Sequence, residues 1–251
     1  MVPGQKTAEH RHGTDGSALA MTDVDALPIK RLTLPCSAGV VLWLAGPADP
    51  GGVPPHLWNT LLAAERERAK RFINAPDRIL FAMTRAVLRT LLSEATSVPA
   101  DQILFAEEPF GKPRLAGISG PHFNVSHSGS WALIGVSDRR PIGVDIELMR
   151  RAGGELELAR SFFSDAEYHA LEGLDNSELL QAFYKIWTCK EAVLKALGAG
   201  ISEHLKDFSV ELMSDRYAIH AEPNCFLPAL ASVVANPVEV PRGYAGCYAL
   251  A

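Results

Sequence analysis

The chain has no pairing pattern among its cysteines. Only four are present, at positions 36, 189, 225 and 247, without C-x-x-C spacing, so neither a zinc site nor a disulfide framework is indicated and a reducing cytoplasm suits them. No apolar run approaches the ~18 residues needed to cross a bilayer, and the basic and apolar regions of a secretory leader are missing as well. A basic excess is also absent. The formal charge of −5 argues against a nucleic-acid binder. No G-x-S-x-G elbow occurs, and no internal repeat stands out. What remains is 251 residues, 47% of them apolar, enough for one sizeable domain or two small halves.

Within Pro141-Ile142-Gly143-Val144-Asp145-Ile146-Glu147, strand alternation puts Asp145 and Glu147 on one face and Ile142, Val144 and Ile146 on the other. The apolar set reads as core. Two carboxylates on one strand face repel unless a cation or a donor lies between them. A hard divalent ion with oxygen ligands and room for a phosphate resolves the conflict. The alternative is a strand end with a solvated acidic face.

The run from Leu179 to Leu197 has neither Gly nor Pro and is patterned as an amphipathic helix ending at Gly198 and Gly200. Phe183, Ile186, Val193, Leu194 and Leu197 gather on one side. Trp187, Glu191 and Lys195 form an adjoining stripe at i, i+4, i+8, and Glu191 with Lys195 has the spacing of a surface ion pair. The wheel places Lys190 among the apolar residues, where a lysine must snorkel or find an anion.

Phe123-Asn124-Val125-Ser126-His127-Ser128-Gly129-Ser130-Trp131 leads into a strand at Ala132–Ser137, so its polar cluster lies at a strand–turn–strand bend suited to phosphate. A serine hydrolase built on Ser126, His127 and Asp145 is the rival chemistry. It suffers because neighbouring strand residues face opposite ways. Basic residues cluster at Arg66, Arg68, Lys70, Arg71, Arg78, Arg85 and Arg89, a concentration suited to a multiply phosphorylated small molecule, with Arg66 and Arg68 read as an exposed helix face.

Taken in order, Gly111-Lys112-Pro113, Phe123–Ser128, Gly143–Glu147, Phe162-Phe163-Ser164 with Glu167, and Trp187 through Lys195 resemble the 4′-phosphopantetheinyl transferases of the Sfp type. Glu65–Phe72 and Arg85–Arg89 resemble that family's basic N-terminal helices, and the likeness spans about residues 40 to 210. The resemblance implies transfer of the phosphopantetheine arm of coenzyme A to a serine of an apo acyl or peptidyl carrier protein, with release of 3′,5′-ADP. It implies Mg²⁺ held by Asp145, Glu147 and Glu191, with Glu191 as base and Lys195 at the departing phosphate. Ser126 and His127 match positions on the coenzyme A phosphates, and Lys112 matches one near the nucleotide phosphates. Arg85 and Lys70 are candidates for the 3′-phosphate, and Lys190 has a supporting role in cofactor binding. A carrier surface is expected near Phe162, Phe163 and the loop after Arg150, with Arg150 and Arg151 steering an acidic partner. The complete acidic set argues against a non-catalytic module that binds coenzyme A or a carrier.

Residues 1 to about 30 lack periodicity and read as a disordered leader, with Met21 as an alternative start. Val40–Ala45 reads as a strand, Gly46–Pro55 as a loop, and Leu57–Asn74 and Asp77–Glu94 as two helices. Arg139-Arg140-Pro141 marks a boundary between an N-terminal half, 31–139, and a C-terminal half, 140–251. In the second half a loop, a helix near Ser164–Glu172, the Glu191 helix and strands near Phe208–Leu212, Tyr217–His220 and Gly243–Leu250 follow. Helices with mostly antiparallel strands suggest an α+β architecture. The resemblance implies two such α/β halves related by a pseudo-two-fold axis, the active site at their junction, in a monomer.

Overall fold

The computed structural model describes residues 29–34, 39–49, 51–151 and 153–251. Most of the expected leader, Met21 and Cys36 therefore lie outside the described residues. Ile29 and Lys30, assigned to the leader, instead open a strand, β1 (Ile29–Leu32).

In the first half β1 pairs with β2 (Val40–Ala45), which pairs with β6 (Trp131–Ser137), and β5 (His122–Ser128) closes the antiparallel order β1-β2-β6-β5. One face is covered by α1 (Pro55–Thr60), α2 (Ala63–Lys70) and the 22-residue α3 (Ala75–Thr96). Trp43, Leu57, Leu61, Met83, Val87 and Ile134 are among the residues of that core. A short hairpin, β3 (Phe105–Glu107) with β4 (Pro113–Leu115), turns through Gly111 at φ 78°.

The second half repeats the plan. Strand β7 (Ile142–Leu148) edges a sheet ordered β7-β11-β10-β9-β8, with β8 at Phe208–Leu212, β9 at Tyr217–Ala221, β10 at Val234–Pro237 and β11 at Tyr244–Leu250. Helices α4 (Glu155–Phe162), α5 (Asp165–Glu172), α6 (Asn176–Leu197, again 22 residues) and the short α7 (Ile201–His204) complete it. Asp175 caps α6 by accepting from the Ser177 and Glu178 amides, and Gly198 ends it at φ 67°, a conformation that a Cβ would strain. Phe163, Phe183, Ile186, Val193 and Phe208 form part of this core. A third cluster joins Leu42, Leu44 and Leu133 of the first sheet to Ile142, Val144 and Ile146 of the second, so the apolar face of β7 seals the junction.

Three departures have local causes. The helix expected over Leu57–Asn74 breaks at Leu61 and Leu62, both extended. Leu61 turns into the core, and the Glu65 carboxylate accepts from the Leu62 amide at 2.9 Å to start α2 afresh. The stretch expected as loop after β7 contains α4, whose Ala159 is buried in the second core with Leu156 packed against it. Phe163 is buried and stacks on Phe183, while Phe162 lies edge-on to Trp187. Phe163 therefore packs the interior, while Phe162 is only partly buried.

Candidate active site

Strand β7 and helix α6 meet at Gly143. A Cβ there would lie 2.0 Å from the Ala192 carbonyl oxygen and 2.4 Å from the Ala196 amide nitrogen, so only glycine lets the helix settle on the strand. Glu191 and Lys195, one helical turn apart, then face the acidic side of β7. The Lys195 ammonium lies 2.6 Å from Asp145 Oδ1, 3.1 Å from Glu191 Oε2 and 3.5 Å from Ser126 Oγ. Carboxylates from two elements thus share one ammonium.

From the other side, β5 runs along β7 in the same direction without a backbone ladder. Alternate side chains join them. Asn124 Oδ1 accepts from the Val144 amide at 2.9 Å, Ser126 Oγ donates to Asp145 Oδ1 at 2.7 Å, and Ser128 Oγ donates to Glu147 Oε2 at 2.7 Å while accepting from the Leu148 amide. Period-two alternation places these three polar groups on one edge and turns His127 the opposite way. The imidazole cannot serve Ser126, which removes the hydrolase reading.

Burial raises the pKa of Glu147, and the charges of Asp145 and Glu191 add to it against the Ser128 hydrogen bond and Lys195. Glu191 is raised for the same reasons, burial first and then Asp145, while Lys195 and the Trp187 indole oppose the shift. Burial alone would pull Lys195 down. Asp145 and Glu191 more than offset that, so its pKa is raised and it stays an ammonium. Among the described residues no three acidic, histidine or cysteine side chains close into a ready-made cation cage, and Lys195 holds the ground between the carboxylates. The oxygens present nonetheless fit a hard cation. Asp145 is 1% exposed, and its Oδ2 is buried without a hydrogen-bond partner, an arrangement costly for a carboxylate left as it is.

Beside the cluster opens a cavity of about 600 Å³. Ser128, hydrogen-bonded to Glu147, is in its wall, and His127, Arg85, Arg68 and Arg150 bring positive charge or donors to it. Arg85 lies over the Phe105 ring and 3.4 Å from Glu65, whose carboxylate also takes both a 2.7 Å and a 3.0 Å bond from the buried Arg89.

The sequence-derived candidates therefore separate. Asp145, Glu147, Glu191, Lys195 and Ser126 converge, and His127 and Arg85 line the cavity next to them. Lys70 does not reach it: the side chain is 62% exposed and paired with Glu67 at 2.7 Å. Lys190 is also elsewhere. Fully buried, it pairs with Glu167 at 2.9 Å and donates to the Leu205 and Phe208 carbonyls, so the anion its position demanded is structural and not a cofactor. Lys112 turns its ammonium onto the Ile142 and Lys195 carbonyls, while its neighbours Gly111 and Pro113 line the cavity.

Several residues of the site escape sequence patterning. Arg68, expected on an exposed helix face, lines the cavity and stacks over Phe81. Thr84 lines the same wall, its hydroxyl buried without a partner. From sequence, Asn124 and Ser128 stand out only as part of a polar bend. Their alternation with Ser126 was the signal that all three face one neighbour.

The chain matches the family description "4′-phosphopantetheinyl transferase, N-terminal" over residues 55–138 and "4′-phosphopantetheinyl transferase superfamily" over residues 141–231. It is 31% identical over 186 residues to a 4′-phosphopantetheinyl transferase of Bacillus subtilis, covering 74% of each chain. It is 35% identical over 180 residues to 4′-phosphopantetheinyl transferase Sfp of Bacillus subtilis strain 168, covering 72% of this chain and 77% of the relative. With 4′-phosphopantetheinyl transferase HetI of a Nostoc species the identity is 37% over 176 residues, covering 69% of this chain and 74% of the relative.

Proposed function

The chain belongs to the 4′-phosphopantetheinyl transferase superfamily, and from that premise we propose that it transfers the phosphopantetheine arm of coenzyme A to a serine of an apo acyl or peptidyl carrier protein. One observation carries the assignment of the site. Ser128 lines the cavity, whose wall carries Arg68, Arg85 and Arg150 beside Asp77 and Glu107, and is hydrogen-bonded to Glu147, so the pocket read as holding the nucleotide end adjoins the carboxylate cluster through Ser128.

In this reading Asp145, Glu147 and Glu191 hold Mg²⁺, supported by the unpartnered Asp145 Oδ2. When bound, the ion neutralises the diphosphate and supplies Lewis acidity. The chain's own groups do the rest. The carrier serine oxygen attacks the phosphorus next to the pantetheine. Its P–O bond forms as the bond to the bridging oxygen breaks, and 3′,5′-ADP leaves with the electron pair. Glu191 takes the serine proton, a task suited to a carboxylate whose pKa is raised. Lys195 stays charged and, on a flexible stem, meets the phosphate oxygen that gains charge. Ser126 orients Asp145, while His127, Arg85 and Arg68 hold phosphate groups in the cavity.

We take residues 29–139 and 140–251 as the two halves, the first beginning with β1 at Ile29 and not at 31. Cavity and acidic cluster come from one chain, which supports a monomer. No helix of the described residues is long and apolar enough to cross a membrane, and three unpaired cysteines support a cytoplasmic setting. The net charge supports partners other than nucleic acid. The test is incubation with coenzyme A, Mg²⁺ and an apo carrier. Each carrier molecule should gain the mass of one arm, and Glu191→Gln should slow this by about 10²–10⁴. Binding of coenzyme A with no mass gain on any carrier would make the protein a binding module.

A further inference from the structure

Lys112 precedes β4 in the first half, yet both hydrogen bonds of its ammonium are to the second. The ammonium lies 2.6 Å from the carbonyl oxygen of Lys195 and 3.1 Å from that of Ile142. Those carbonyls belong to the two elements that carry the acidic cluster. Ile142 opens β7 three residues before Asp145, and Lys195 is itself the residue whose ammonium bridges Asp145 and Glu191.

The Lys195 carbonyl also needs a donor. It lies in the last turn of α6, where carbonyls have lost their intrahelical partners, and the Gly198 amide reaches it at only 3.4 Å. A cation at that end is favoured by the helix dipole as well. An ammonium that moved away to a ligand phosphate would take this donor from the Ile142 carbonyl and leave the Lys195 carbonyl with the long Gly198 contact.

The geometry points to Lys112 as a positioning residue: from across the junction it seats the last turn of α6 on β7, and with it the Lys195 side chain, and it does not hold the coenzyme A phosphates. This rests on the reading of Lys195 given above. The two fail differently, because an inactive wild-type protein would overturn that reading, while the inference is decided by how Lys112 variants differ from an active wild type.

Lys112→Met keeps the aliphatic stem and removes the donors. Steady-state transfer to an apo carrier should show kcat lowered by about 10²-fold, the scale expected when a reacting group is displaced by about an ångström. The KM for coenzyme A and calorimetric binding of 3′,5′-ADP should stay within threefold of wild type. A KM raised tenfold or more with kcat preserved would make Lys112 a phosphate contact and overturn the inference. So would an unchanged kcat. Should that variant fail to fold, the wild-type protein still decides. Under reductive methylation followed by peptide mass mapping, Lys112 should react slowly and equally with and without coenzyme A. Ready labelling that coenzyme A suppresses would overturn the clamp.

Discussion

The Lys195 ammonium lies 2.6 Å from Asp145 Oδ1, and the two residues belong to different elements brought together by the bare backbone of Gly143. The pair does two jobs. It neutralises a carboxylate that is 1% exposed, and it stores a cation beside the cavity where a diphosphate would lie. Lys195→Met should therefore lower the transfer rate by about 10²–10³, the effect of removing one electrostatic stabiliser of a developing oxyanion. Coenzyme A binding, followed by calorimetry, should weaken less than fivefold. A variant with near wild-type turnover would show that the ammonium serves only Asp145.

Glu147 and Glu191 are both raised above 4.5 by burial and by neighbouring carboxylates. Above that value the folded protein binds more protons than the unfolded chain, so stability falls as pH rises through the raised folded values. Lys195 follows the same sign in a different window, since its raised pKa adds stability that is fully present at neutral pH and lost only at alkaline pH above 10.5. Glu147→Gln should melt higher than wild type at pH 7.5 and lose that advantage near pH 4.5. Mg²⁺ should raise the wild-type melting temperature at pH 7.5 and have little effect at pH 5. Melts that ignore Mg²⁺ at both values, with ionic strength matched, would exclude the cation from this cluster.

The acidic face of β7 was legible because strand alternation needs only neighbouring residues, and Glu191 with Lys195 was legible because helical spacing is equally local. Lys190 was half legible. Its place among apolar residues announced an anion, but Glu167 is 23 positions away, on a helix whose capping box with Ser164 gives no hint of the pairing. The break at Leu61 was hidden for a similar reason. Both leucines suit a helix, and the interruption depends on Glu65, whose orientation is set by Arg89 on α3. Lys112 came from a motif whose family reading points at phosphate, while the carbonyls it meets lie 30 and 83 residues on. Strands β3 and β4 have three residues each, too few to show alternation.

The Lys190–Glu167 pair should matter to stability and not to the cavity. Glu167 also accepts from the Ser164 and Val210 amides at 2.8 Å each, so one carboxylate ties α5, α6 and β8 together. Lys190→Ala would leave that charge buried and should cost about 3–5 kcal/mol in urea unfolding. Combining Lys190→Met with Glu167→Gln removes both charges and should cost less than the sum of the single changes. The KM for coenzyme A should not move in any of them. A KM rise beyond threefold in a folded variant would return Lys190 to cofactor binding.

Arg85 and Lys70 are both candidates for the 3′-phosphate by sequence, and their surroundings differ. Arg85 is held in the cavity wall by Phe105 and Glu65, whereas Lys70 points to solvent beside Glu67. A charge-assisted hydrogen bond contributes about 1.5–3 kcal/mol, or roughly 10–100-fold in affinity. Arg85→Gln should therefore raise the KM for coenzyme A by about tenfold or more and change that for dephospho-coenzyme A, which lacks the 3′-phosphate, by less than threefold. Lys70→Gln should leave both unchanged, because its ion pair is exposed and contributes little even to stability. Equal losses on the two substrates would place Arg85 on the diphosphate, and a selective loss in Lys70→Gln would mean that α2 swings its outer face into the cavity when the nucleotide binds.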